Sequence, residues 1–79
     1  MNNARETFRR KAEQLSAFFL SAHGADVHVD VDFEGRIVID GTPADVSTAV
    51  EFFQKTKPGV TVERQTWADD PDWEVARIA

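Results

Sequence analysis

The chain has 79 residues, carries 9 basic against 14 acidic side chains for a formal charge of −5, and contains no cysteine. That length makes one domain, which buries only roughly 60–65% of the surface its unfolded chain exposes. The missing thiol excludes disulfides, zinc–thiolate sites and cysteine nucleophiles, and a hydrophobic fraction of 42%, with six Phe and two Trp, excludes a disordered chain.

The first element is a helix over residues 4–23. Phe8, Ala12, Leu15, Phe19 and Ala22 recur at helical spacing and form one apolar stripe. Asn3 is placed to cap its start with Glu6 as the reciprocal partner, and Gly24 to close it in the left-handed conformation. Phe18, Phe19 and Leu20 are consecutive, so at least one of them must face a neighbour or solvent. The longest apolar run, Leu15 to Leu20, is far too short to span a membrane.

Strict alternation follows. Val27, Val29 and Val31 point one way and His28, Asp30 and Asp32 the other, which predicts a half-buried strand. Arg36 to Asp40 is its return partner. A three-residue loop of Phe33, Glu34 and Gly35 pairs Val31 with Ile37 and Val29 with Ile39, and sets Asp32 beside Arg36 and His28 beside Asp40 on the outer face. A two-residue loop would mix acids with Ile, and only the longer one puts Gly where a positive φ is needed.

Thr42, Pro43 and Asp45 open a second helix as cap, first helical residue and first-turn acid. Val46, Ala49, Val50 and Phe53 form its buried stripe, Phe52 lies on its flank, and Pro58-Gly59 stops it. Val60 to Trp67 alternates as a third strand, Ala68 to Asp72 has the composition of a turn, and Trp73 to Ile78 makes a short fourth strand of ambiguous alternation. The expected fold is α+β: a two-layer α/β sandwich in the order α-β-β-α-β-β, with a four-stranded, mainly antiparallel sheet and two helices on one face. The order also suits a split, ferredoxin-like sheet.

The charge is uneven. Residues 1–23 carry Arg5, Arg9, Arg10 and Lys11 against Glu6 and Glu13, a net of +2, while residues 24–79 have a net of −7. Such a body repels phosphate backbones, so direct nucleic-acid binding is not expected and a partner with a basic surface is favoured. The basic cluster at the start of the first helix reads as a solvated face, with Arg9 and Glu13 spaced as a surface pair. His28, Asp30, Asp32 and Asp40 share one sheet face and have the chemistry to hold a divalent cation, but alternating polar residues are what any solvated sheet face shows. His23 reads as a helix-terminal imidazole favoured by the helix dipole. No nucleophile–base pair, phosphate-cradling glycine loop or zinc motif is present, so neither an enzyme nor a cofactor is expected.

The segment from Trp67 to Glu74 is the most informative. Trp67 and Trp73 flank an acidic turn of Asp69, Asp70 and Asp72, with Glu74 following. Indoles anchor many interfaces, and an acidic rim selects a basic partner. The plainer reading makes the indoles the edge of a small core and the acids a soluble turn. Phe18 and Phe52 add aromatic surface beyond what two facing layers need. The leading expectation is therefore a non-enzymatic protein–protein interaction module, cytoplasmic because it lacks both cysteine and the apolar segment of a secretion signal. A homodimer through the first helix or the edge of the final strand is a further expectation. A second reading is an acidic inhibitor that sets Asp30, Asp32, Glu34, Asp69, Asp70, Asp72 and Glu74 where phosphates would lie. In size and charge alone the chain resembles phage-encoded anti-defence proteins, including anti-CRISPRs. A third reading places a metal-dependent activity on the His28, Asp30 and Asp40 face.

Overall fold

A computed structural model describes the backbone of residues 3–67 and 69–79 and the side chains from Glu6 onward over the same span. The elements are α1 (Asn3–His23), β1 (His28–Val31), β2 (Ile37–Gly41), α2 (Pro43–Thr56), β3 (Val62–Trp67) and β4 (Asp70–Ile78). The α-β-β-α-β-β order and α+β class read from the sequence are both present. All strand pairs are antiparallel, in the order β1-β2-β4-β3. β4 is thus inserted between β2 and β3, which run parallel to each other and are joined through α2, a split β-α-β unit. This corrects the view of β4 as an edge strand: it has a neighbour on each side, and the edges are β1 and β3.

The first hairpin forms in the register argued from sidedness, with Val29 opposite Ile39, Val31 opposite Ile37 and His28 opposite Asp40. Its turn closes through a Gly35 N–H donated to the Asp32 carbonyl at 3.1 Å, and Gly35 takes φ +79°. The Asp32 carboxylate accepts the backbone N–H groups of Glu34 and Arg36, each at 2.9 Å, and the Arg36 Nε at 2.8 Å. Its pKa is lowered. Desolvation pushes it up, and these hydrogen bonds together with the Arg36 charge outweigh that.

α2 also matches its sequence signals. Thr42 accepts the Asp45 N–H at 3.4 Å, Pro43 opens the helix, and Val46, Ala49, Val50 and Phe53 are buried. At the end of α1, the Gly24 N–H reaches the Leu20 carbonyl at 3.2 Å with Gly24 at φ +65°. The cap expected at Asn3 lies outside the described side chains.

One core joins both helices to one face of the sheet: Ala12 and Phe19 of α1, the α2 stripe, and Val27, Val29, Ile39, Ala76 and Ile78. Gly41 ends β2 opposite Glu74. A Cβ there would stand 3.1 Å from the Asp26 carbonyl oxygen, so the crossing of the α1–β1 connection over the end of β2 favours glycine.

Two expectations for α1 are corrected. Phe8 is 48% exposed and Ala22 is exposed, although both lie on the apolar stripe. Residues 6–11 are all exposed and burial begins at Ala12, because α1 spans 21 residues against the 4 of β1 and its first turns project past the sheet.

The second hairpin departs further from the sequence reading. β4 begins at Asp70, not Trp73. Thr66 pairs with Glu74 but the adjacent Trp67 pairs with Asp70, so Pro71, Asp72 and Trp73 bulge out of the ladder. Proline, which has no N–H to give, fits such a place. Ala68 lies outside the described residues.

Candidate functional site

Alternation along the strands decides which side chains remain uncovered. On β4, Glu74, Ala76 and Ile78 turn toward the helices, while Val75 and Arg77 turn away. Cross-strand pairing then lays two rows on the outer face: Asp30, Val38, Arg77 and Glu63, and beside it His28, Asp40, Val75 and Gln65. Among the described residues, no helix covers this face.

The two indoles stand at the Gly41 end of these rows. Trp67 is 58% exposed and Trp73 is 38% exposed. The Trp73 Nε1–H donates to the Asp40 Oδ2 at 3.2 Å, which swings this indole toward β2. Trp67 stays on the β3 side and lines a cleft of about 320 Å³ with Gln65, Thr66, Asp69, Val75 and Arg77. The two indoles make no ring contact with each other among the described residues. They bracket the outer face instead of stacking.

Asp69, Asp70 and Asp72 remain exposed around this end of the sheet. Asp70 accepts the Asp72 N–H at 3.1 Å, which shapes the bulge. Glu74 is not part of that rim. It is 8% exposed and points to the helix side, where the Arg64 guanidinium donates to its Oε2 at 2.5 Å and to the Ser47 Oγ at 2.7 Å. A carboxylate in this position needs the pairing, and Arg64 rises off the edge strand to supply it.

Phe18 and Phe52 lie elsewhere and find their partners inside the chain. Their rings sit 5.1 Å apart and join Phe19, Phe53 and His23 in a cluster bridging α1 and α2. Edge-on and tilted pairs of this kind contribute about 0.5–1.5 kcal/mol each beyond their buried area. The aromatic surplus at these positions is therefore explained by helix packing, while Phe18 retains 37% exposure.

The acidic groups do not gather into one array. Asp30, Asp32 and Glu34 belong to the β1–β2 hairpin at the Ile37 end of the sheet, and Asp69, Asp70 and Asp72 to the β3–β4 hairpin at the Gly41 end. Asp32 and Glu34 are both paired with Arg36, at 2.8 Å and 3.5 Å. Asp30 accepts the Val31 N–H at 2.8 Å and Asp40 holds Trp73, so the carboxylates of the His28 face are engaged separately. Among the described residues, no three His, Asp or Glu side chains are placed to share a metal ion.

Several residues escaped the sequence reading. Gln65, Val75 and Arg77 line the cleft, and their signal was the Gln65–Trp67 alternation combined with a β4 phase that the bulge obscured. Phe33 at the first hairpin tip is 99% exposed, and its position in the loop was already implied by the register. Comparison with protein-family models, curated proteins and solved structures gives no match. No helix among the described residues is long and apolar enough to cross a membrane.

Proposed function

We propose that this chain is a non-enzymatic protein–protein interaction module acting in the cytoplasm, and that its docking surface is the uncovered sheet face at the Trp67–Trp73 end, which takes a basic segment of another protein. The observation that carries the reading is an indole 58% exposed beside a cleft on an uncovered sheet face. Large exposed aromatics beside a concavity are typical interface anchors. Charge supports the choice of partner. Arg77 has Glu63 directly across from it and Arg36 is paired with Asp32 and Glu34, which leaves Asp30, Asp40, Asp69, Asp70 and Asp72 to set the sign of the field. The division of the carboxylates between opposite ends of the sheet favours this local site over a phosphate-mimicking array.

The two Trp and the absence of Tyr make intrinsic fluorescence a direct reporter. Titration with Lys/Arg-rich peptides is expected to shift the indole emission at low salt, to lose strength as salt rises, and to be abolished by Trp67→Ala. Equal response to acidic peptides, or no response to either, would count against the proposal.

A further inference from the structure

The two edges of the sheet are finished differently. In β1 the outward-facing N–H groups belong to Val29 and Val31, because Asp32 and Arg36 pair through the backbone and the ladder alternates from there. Both are capped by side chains: Val29 by the Ser16 Oγ at 3.0 Å and Val31 by the Asp30 Oδ1 at 2.8 Å. The outward donors of this edge are thus already engaged within the chain.

In β3 the reciprocal bonds between Thr61 and Ala79, 3.0 and 2.9 Å, fix the alternation, and the outward-facing groups belong to Val62, Arg64 and Thr66. They meet no partner among the described residues. Five of the six β3 residues are exposed, and the strand extends beyond the area covered by the helices. The edge is locally neutral: Glu63 and Arg64 offset each other in a chain of formal charge −5. Arg64, a charged side chain that points toward the helices, is neutralised within its own chain by Glu74.

We propose that β3 pairs antiparallel with β3 of a second copy, in the register centred on Gln65, to give one continuous sheet across the dimer. Charge narrows the register. Centring on Arg64 sets guanidinium opposite guanidinium, and centring on Glu63 sets carboxylate opposite carboxylate, both unfavourable. Centring on Gln65 brings the two Gln65 amides together, puts Arg64 of each copy opposite Thr66 of the other, and puts Glu63 opposite Trp67. No like charges face each other, and the outward backbone groups of Arg64 and Thr66 bond reciprocally. The pairing shares Gln65, Thr66 and Trp67 with the Trp-lined docking face, but it rests on the backbone edge of β3 and stands if that reading fails.

A chain without cysteine lets a single introduced thiol report the register. In the proposed arrangement the two Gln65 Cα atoms are a non-hydrogen-bonded pair about 4.5 Å apart, inside the span of about 4.4–6.8 Å that a disulfide bridges. Sedimentation of the wild-type 79-residue chain is expected to show concentration-dependent dimers, and Gln65→Cys to form a covalent dimer at least about tenfold faster than Glu63→Cys under the same oxidant. A second variant, Thr66→Pro, removes an outward N–H without touching the β4 ladder and is expected to be folded and monomeric. A strictly monomeric wild type at millimolar concentration, or Glu63→Cys crosslinking as fast as Gln65→Cys, overturns the proposal. Binding of an unrelated extended peptide at β3 by a chain that never self-associates overturns it equally.

Discussion

The backbone N–H of Val29 donates to the hydroxyl of Ser16 at 3.0 Å, tying the edge of the sheet to the middle of the first helix. The contact has two effects. It satisfies a part-buried donor that the ladder leaves unpaired, and it fixes how far α1 slides along β1. Ala12 and Phe19, on either side of Ser16, are buried in the core, and Leu15 packs against it.

Ser16→Ala is expected to cost about 1–2 kcal/mol, the penalty of leaving a part-buried N–H without an acceptor. The measurement is the urea midpoint, with an unchanged slope showing that the folded state is otherwise intact. Ser16→Thr keeps the oxygen and should recover most of the loss.

The Asp32 turn makes a prediction about pH. Desolvation, the largest single influence, pushes its carboxylate up, but the hydrogen bonds of Arg36 and Glu34 together with the Arg36 charge outweigh it and hold the group below the usual range. A depressed folded pKa gives stability that is fully present above the unfolded value, about 3.9, and is lost as pH falls through the folded value. The stability difference between wild type and Asp32→Asn should therefore be flat at neutral pH and shrink below about pH 4. Thermal denaturation across the acid range checks this, and a difference that grows on acidification would reverse the assignment.

Arg64→Ala is expected to destabilise the fold by about 1–3 kcal/mol, because Glu74 keeps its nearly buried site without a cation. Adding Glu74→Val should cost less than the sum of the two single changes, since the second removes the group the first left stranded. A double-mutant cycle by chemical denaturation reads the coupling directly.

What was legible in the sequence was local. The β1–β2 register followed from sidedness within a dozen residues, and α2 carried its start, stripe and stop in Thr42, Pro43, Val46, Phe53 and Gly59. What was not legible depended on distant neighbours. The insertion of β4 between β2 and β3 places Ala76 and Ile78 in the core, a long-range arrangement that no local pattern encodes. The bulge at Pro71, Asp72 and Trp73 hid the phase of β4, so Glu74 read as part of an acidic rim although it turns inward to Arg64. Phe8 read as core because the stripe continues past the end of the sheet that should cover it.

The docking face around Trp67 is tested most directly by amide and indole chemical shifts during titration with a Lys/Arg-rich peptide. Changes confined to Gln65, Thr66, Trp67, Trp73, Val75 and Arg77, with the helices silent, are the expected result. Shifts centred on α1 and α2, or an unresponsive Trp67 indole while the peptide binds, would move the contact to the opposite side of the sheet and contradict the assignment.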